Sequence, residues 1–204
     1  MVGNPSFRWQ CNPSPEPSNL SLVRRSIYCI LVIALSAVFG GARKPSAQLR
    51  RNPYRGNPYA LHFLDLHSGK RLDVVYRNAN GYDPQSLVRL DSYLRDRRTG
   101  QVHAYDPRVF DLLRDLLISL GRPQGEIDVI CGYRTPWSNA LLHNTGHHVA
   151  VHSLHMQAMA IDIRVPGVST ARLRDAALAL HRGGVGYYPH SRFVHVDVGR
   201  VRRW

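Results

Sequence analysis

The sequence predicts an α+β fold with a mainly antiparallel sheet and helices packed on one side of it. Helical patterns lie mostly in the earlier part of the globular region, and strand patterns lie mostly in the later part. The last two strand patterns, 185–188 and 193–198, are joined by a connection too short for a crossover helix, so we expect them to pair antiparallel. A parallel doubly wound sheet is the less favoured alternative. No internal repeat or heptad run appears, which excludes solenoids and coiled coils.

The first predicted elements are a β-hairpin and two helices. Strand patterns at 61–66 and 71–76 flank the turn sequence 67–70. Asp83-Pro84 and Asp106-Pro107 each open a run of leucines at helical spacing. Each pair places an acidic N-cap before a proline at the first helical position, which is typical of a helix start.

The later elements alternate strands with shorter helices. A strand at 127–131 precedes a brief helix opened by Thr135-Pro136. A surface loop rich in His and Gly, 144–153, leads to a strand at 160–165. Ser169 or Thr170 then caps a helix that stops at Gly183-Gly184, before the last two strands.

The chain has 204 residues and a formal net charge of +13, nearly all of it from arginine because lysine occurs only at Lys44 and Lys70. Hydrophobic residues make up 44% of it, which indicates a globular protein with one domain of ordinary size. The charge favours an anionic partner: nucleic acid, a membrane surface or a cell-wall polymer. A nucleic-acid partner is disfavoured, since no basic helix or aromatic-interleaved basic strand appears.

An export signal is predicted in residues 1–47. Arg24-Arg25 precede an uncharged apolar run of 14 residues, 26–39, and small residues follow. The run is short for a spanning helix, which needs about 20 apolar residues, although an uncleaved inner-membrane anchor stays open as the alternative. The arginine pair loosely resembles a twin-arginine signal. We expect a linker at 48–60 and the globular domain at 61–204.

Two late strands carry polar residues on one face. Side chains alternate along a strand, so Asp162 lies on the face opposite Ile161 and Ile163, and His195 and Asp197 lie opposite the valines of 193–198. His155 is in the loop just upstream of the first of these strands. Two imidazoles and one carboxylate are a ligand set used by catalytic zinc. An arginine-paired carboxylate at Asp162 and a hydrogen-bonded histidine at His195 remain the structural alternatives.

Several motifs resemble one family. Ser153-Leu154-His155, followed by Ala158, Ala160 and Asp162, resembles the S-x-H-x-x-G-x-A-x-D signature of the LAS metallopeptidases, the lysostaphin, D-Ala-D-Ala-peptidase and hedgehog-like group. Similarity to the murein endopeptidase K branch extends over further segments: 132–135, 183–189 and 193–199, with Arg202 and Trp204. The resemblance covers about 61–204. It implies a hedgehog-like zinc peptidase fold, one Zn²⁺ bound by His155, Asp162 and His195, and hydrolysis of peptidoglycan peptide cross-links in the periplasm.

The chain departs from the signature at Ala158, where the family has glycine. If that position needs a positive φ, alanine strains the loop that carries His155. A peptidoglycan-binding protein without activity, with a degenerate zinc site, is therefore the alternative to a zinc endopeptidase.

The remaining roles are less constrained by the sequence. Asp197 and His190 are the candidates for the general base, with His152 a weaker one, and Asp197 has a second interpretation as acceptor of the other N–H of a ligand imidazole. Arg134 and Ser153 are expected to contact the stem peptides of peptidoglycan, the arginine through a carboxylate. Membrane contact is expected only through the N-terminal segment, and the oligomeric state is left open.

One further expectation concerns Cys131. It is the single cysteine of the sequence outside 1–47. At the end of an apolar strand, it is expected to be a buried small apolar residue.

Overall fold

The computed structural model describes residues 57, 59–145 and 149–204. The predicted export signal and most of the predicted linker lie outside these residues. Within the described ranges, none of the helices combines the length and the apolar character needed to cross a bilayer.

A seven-stranded mixed sheet forms the centre of the described part. Its strands are β1 (Ala60–Asp65), β2 (Arg71–Val75), β5 (Glu126–Cys131), β6 (Ala160–Arg164), β7 (Gly184–Tyr188), β8 (Phe193–Asp197) and β9 (Arg202–Arg203). They lie in the order β2-β1-β5-β6-β8-β7-β9. Two short strands, β3 (Arg77–Asn78) and β4 (Gly81–Tyr82), form a separate antiparallel ribbon.

Most neighbouring strands of the large sheet pair antiparallel, as predicted. The exceptions are the parallel pairs β1–β5 and β7–β9. The chain between β1 and β5 contains two helices, which is enough for a crossover, so a parallel pair can form there. The α+β class with a mainly antiparallel sheet is confirmed.

Four α-helices complete the fold in the described residues: α1 (Pro84–Tyr93), α2 (Arg108–Ser119), α3 (Pro136–Asn144) and α4 (Thr170–Ala179). Three of them begin with the predicted cap, because the side chains of Asp83, Thr135 and Ser169 each accept the N–H three residues ahead. These caps satisfy main-chain donors that the first helical turn leaves free.

The start of α2 differs from the prediction by one residue. Pro107 occupies the N-cap position and has no side-chain cap bond. The carboxylate of Asp106 instead accepts the N–H of Arg108 at 3.0 Å. The side chain of a proline cannot accept a hydrogen bond, so the acidic side chain one residue earlier does so.

One face of the sheet is the hydrophobic core. Helix α2 packs on β1 and on α4, and α4 packs on β7 and β8, so these two helices cover the same face. Ile161 and Ile163 of β6 and Val194 of β8 are fully buried there. Because side chains alternate, the residues between them point to the opposite face, and this is where the polar residues of β6 and β8 lie.

Candidate metal centre and substrate cavity

Asp162 and His195 are direct cross-strand partners of β6 and β8. Oδ1 of Asp162 lies 2.9 Å from Nδ1 of His195. Nε2 of His155 lies 3.1 Å from each of these two atoms. The structure therefore brings together all three side chains that the sequence proposes as metal ligands.

A 3-10 helix, Leu154–Gln157, carries His155 to this position. The hydroxyl of Ser153 accepts the N–H of His155 at the helix start, and the carbonyl of His155 accepts the N–H of Arg134. The helix ends at Ala158, which has φ 50° and ψ 38° and is fully buried. The position does adopt the left-handed conformation that favours glycine, yet His155 still reaches the other two ligands.

The outer nitrogen of each imidazole has a fixed partner. Nδ1 of His155 lies 2.7 Å from the carbonyl oxygen of Gly132, and Nε2 of His195 lies 3.1 Å from Oδ2 of Asp197. A carbonyl or carboxylate oxygen only accepts, so these nitrogens carry the protons. The inner nitrogens are then unprotonated, and each presents a lone pair to the centre.

With both imidazoles neutral, the three inner atoms, which lie 2.9 to 3.1 Å apart, are all hydrogen-bond acceptors. Such an arrangement is repulsive unless a cation lies between them. Tetrahedral zinc with bonds of about 2.0–2.1 Å separates its ligand atoms by about 3.3 Å, which is within a few tenths of an ångström of the spacing seen. Two imidazole nitrogens and one carboxylate oxygen therefore fit a zinc ion in both geometry and chemistry.

Burial and hydrogen bonding set the charges of the three groups. Burial alone would raise the pKa of Asp162, but His155 and His195 outweigh it and hold the pKa far below its usual value. Burial lowers the pKa of His155. It would also lower the pKa of His195, but the adjacent carboxylates of Asp162 and Asp197 raise it. The carboxylate is thus ionised and His155 is neutral, as metal ligation requires.

Asp197 lies beneath the site rather than in it. It is 0% exposed and also accepts the N–H groups of Gly184 and Gly199, each at 2.9 Å, and a bond from Arg202. Burial would raise its pKa, but these bonds, led by the one to His195, hold it well below its usual value. A Cβ at position 184 would lie 2.4 Å from Oδ2 of Asp197, which explains the glycine there.

A cavity of about 1030 Å³ opens over the three ligand atoms. Arg134 and Ser153, which the sequence proposes as substrate-binding residues, both line this cavity. His190 lies in the turn between β7 and β8, is exposed, and does not line the cavity. His152 is exposed and lines it.

The guanidinium of Arg134 is buried and faces the metal centre. Its Nη1 donates to Oδ1 of Asn139 at 3.2 Å, and its Nη2 lies 3.3 Å from Sγ of Cys131 and 3.7 Å from Oδ2 of Asp162. Burial alone would lower its pKa, but Cys131 and Asp162 raise it. Arg134 therefore stays charged beside the Asp162 carboxylate.

The structure corrects the expectation for Cys131. Strict alternation would place it with Ile127 and Val129 in the core, but an irregularity in the pairing of β5 with β6 lies between Val129 and Cys131. Cys131 is only partly buried, lines the cavity, and has its Sγ within 4.8 Å of ligand atoms of His155 and Asp162. A β-bulge redirects side chains in this way, and the sequence carries no clear signal for it.

An aromatic wall, formed by Tyr188, Phe193 and Trp204, borders the same cavity. The first two rings stack with centroids 4.5 Å apart, and Nε1 of Trp204 donates to the hydroxyl of Tyr188 at 2.8 Å. The Trp204 ring lies 5.2 Å from the His195 ring. Strand β9, which the sequence analysis did not predict, lies next to β7 and leads the chain to this place. Gly186 leaves room for the indole, because a Cβ at that position would lie 2.8 Å from it.

Comparison with known proteins identifies the family of this chain. Residues 54–204 match the family described as Peptidoglycan L,D-endopeptidase MepK. The probable peptidoglycan L,D-endopeptidase MepK of Haemophilus influenzae is 42% identical over 147 residues, which are 72% of this chain and 79% of that protein. The peptidoglycan L,D-endopeptidases MepK of Escherichia coli and Shigella flexneri are 35% identical over 147 residues, 72% of this chain and 80% of theirs. No solved structure matches significantly. The family match spans well over half of the length of this chain. The chain therefore belongs to the peptidoglycan L,D-endopeptidase MepK family.

Proposed function

We propose that this chain is a zinc-dependent endopeptidase that hydrolyses peptide cross-links of peptidoglycan, at an amide between an L-centre and a D-centre. The observation that carries the proposal is the set of three side-chain atoms of the types that bind zinc, 2.9 to 3.1 Å apart, at the wall of a large cavity. Membership of the MepK family supports the enzyme class and the polymer, and the names of the relatives supply the type of bond.

His155, Asp162 and His195 are the residues that would hold the zinc ion. Zinc, when bound, supplies a Lewis acid that polarises a carbonyl and makes water nucleophilic near neutral pH. Three protein ligands leave a fourth position for water or substrate.

Asp197 is proposed as a positioning residue and not as the base. Among the described residues, its carboxylate bonds to His195, to main-chain N–H groups and to Arg202, and it has no exposed surface. Of the two roles that the sequence left open for it, holding the His195 tautomer agrees with this burial. His190 is not given the role of base, because it is exposed away from the cavity lining.

His152 is proposed as the proton acceptor. Asp162 is the one side-chain carboxylate among the described residues that line the cavity, so the acceptor is sought among imidazoles. His67 and His143 each have a ring nitrogen bonded to a main-chain carbonyl, whereas His152 makes no hydrogen bond to a described residue. It directly precedes Ser153, the cap of the helix that carries His155, so the backbone ties it to the metal centre.

Arg134 and Ser153 are proposed to orient the substrate. Arg134 is held by Asn139 and lines the cavity, so its fixed guanidinium can bind a substrate oxygen without losing much side-chain entropy. The Ser153 hydroxyl accepts the N–H of His155 and retains its own proton for donation.

Peptidoglycan lies outside the cytoplasmic membrane, so the enzyme acts there. We propose that the segment 1–47 exports it to the periplasm, and that this segment makes the membrane contact. The excess of basic residues supports attraction to an anionic wall polymer.

The test is digestion of isolated sacculi by the full-length chain. Chelation is expected to stop the release of muropeptides and added zinc to restore it, whereas His155→Ala stays inactive with zinc. A zinc-loaded chain that binds sacculi and releases nothing would overturn the proposal in favour of a binding protein without activity.

A further inference from the structure

Two arginines of the turn after α1, Arg97 and Arg98, line the same cavity as the metal centre. Both are exposed, and neither guanidinium makes a hydrogen bond or an ion pair with any residue that the structure describes. The other two arginines of the cavity lining are engaged, Arg134 with Asn139 and Arg202 with Asp197. The Arg97-Arg98 pair is therefore the cationic part of the described lining that is free to bind an anion.

The turn that presents this pair is held firmly. Asp96 is 1% exposed, and its Oδ1 accepts the N–H groups of Arg98 at 2.8 Å and of Thr99 at 3.3 Å. Its Oδ2 accepts both the N–H and the hydroxyl of Thr135, at 2.8 and 2.7 Å. Thr135 directly follows Arg134, so one buried carboxylate fixes the turn to the segment beside the metal centre.

The cavity wall near the turn carries mainly positive charge. Arg97 and Arg98 line it together with Arg134, whose Nη2 lies 3.3 Å from Sγ of Cys131. The one acidic side chain of the described lining, Asp162, is occupied by its two histidines. The part of the cavity next to the Arg97-Arg98 turn therefore has a net positive charge, which favours binding of an anionic group.

We propose that the Arg97-Arg98 turn is a carboxylate-binding subsite, which selects cross-linked stem peptides that keep a free carboxylate near the bond to be cut. The inference rests on the proposed function and adds a specificity element to it. A guanidinium fork binds a carboxylate through two parallel hydrogen bonds. The diaminopimelate residues of a cross-link carry such groups, and converting the carboxylate to a carboxamide removes the charge at nearly constant shape.

The test compares two substrates with three forms of the full-length, zinc-loaded chain. The substrates are a cross-linked muropeptide with free diaminopimelate carboxylates and its carboxamide. The forms are the unaltered chain, the double variant Arg97→Gln/Arg98→Gln, and Arg95→Gln, an exposed arginine of the same segment that does not line the cavity.

For the unaltered chain and for Arg95→Gln, KM is expected to be about tenfold lower for the carboxylate than for the carboxamide. In the double variant, KM for the carboxylate rises by about tenfold, the preference disappears, and kcat is retained. Thermal unfolding and zinc content show that each form is folded, and the two single variants replace the double variant if it is not.

The outcomes separate the two proposals. If the unaltered chain cuts neither substrate, the proposed function is wrong. If it cuts both substrates, the proposed function stands. The carboxylate subsite is then wrong if the substitutions leave KM and the preference unchanged, or if they raise KM equally for the two substrates.

Discussion

Nε2 of His195 lies 3.1 Å from Oδ2 of Asp197, a carboxylate with no exposed surface. The contact determines which nitrogen of His195 carries the proton, and so which nitrogen is left for a metal. The same carboxylate accepts bonds from Gly184 on β7 and from Arg202 on β9, so it joins the last three strands to the metal centre.

Replacing Asp197 is expected to weaken metal binding without removing a ligand. In Asp197→Ala the His195 tautomer is no longer fixed, and zinc affinity should fall about 10–100-fold. Competition with a chromophoric chelator measures this.

The matched control is Asp175→Ala, an acidic residue that is largely exposed and paired with Arg174 at the surface. It should leave zinc affinity unchanged. Equal affinity in Asp197→Ala and the unaltered chain would show that Asp197 does not position the ligand.

Metal removal is expected to lower the melting temperature. A ligand that binds only the folded state at about 1,000 times its dissociation constant stabilises it by about 4 kcal/mol. For a domain of this size that corresponds to a shift of roughly 10 °C in Tm. Calorimetry with and without chelator should show the shift in the unaltered chain and in His190→Ala, and lose it in His195→Ala. A shift that persists in His195→Ala would place the metal elsewhere.

The central part of the site could be predicted from the sequence because alternation along a strand is strict. Asp162 and His195 each interrupt an apolar strand at a position facing away from the core, and the pairing of β6 with β8 makes them neighbours. The family signature has glycine at position 158, and the φ of 50° found there is one that favours glycine.

The rest depends on tertiary features that leave little trace in the sequence. The bulge that turns Cys131 toward the cavity and the two-residue strand β9 that brings Trp204 beside His195 depend on neighbouring strands. The turn of Arg97 and Arg98 is fixed by Asp96 through contacts with Thr135, 39 residues away in the chain.

Stability is expected to depend on Asp96 in a pH-dependent way. Burial would raise the pKa of Asp96, but the hydrogen bonds it accepts hold the pKa well below its usual value. A carboxylate whose pKa is lower in the folded state than in the unfolded state stabilises the fold. This stabilisation is complete above the unfolded-state pKa of about 3.9 and is lost as the pH falls through the folded-state pKa. Asp96→Asn should therefore cost about 2–3 kcal/mol at pH 7, and less below pH 4.

Denaturant unfolding of the two chains between pH 3 and pH 8 checks the dependence on Asp96. Only the difference in unfolding free energy between them is used, so that protonation of the histidines cancels. A difference that stays constant down to pH 3 would contradict the ionised, hydrogen-bonded state of this carboxylate.

Substitutions at Ala158 are expected to distinguish strain from packing. Ala158→Val puts a β-branched residue into the left-handed conformation and should cost about 1–3 kcal/mol, with weaker zinc binding because His155 shifts. Ala158→Gly relieves the backbone strain, which stabilises the fold, and removes a buried methyl group, which destabilises it. Each effect is about 1 kcal/mol, so the free energy of unfolding should change little. Unfolding and zinc titration measure both. A neutral valine variant would show that the loop moves freely at this position.

The role of His152 leads to the most specific prediction about catalysis. If its imidazole accepts the proton of the attacking water, His152→Ala should lower kcat by about 10²–10⁴-fold and leave KM and zinc affinity nearly unchanged. His190→Ala is the control, because that exposed imidazole does not line the cavity and its loss should leave kcat intact. Muropeptide hydrolysis at saturating substrate measures kcat for both variants.

Added imidazole should restore part of the activity of His152→Ala, because the cavity is wide enough to admit a free base. Full activity in His152→Ala would instead direct attention to His67 and His143, the other imidazoles that line the described cavity wall beside the three proposed ligands.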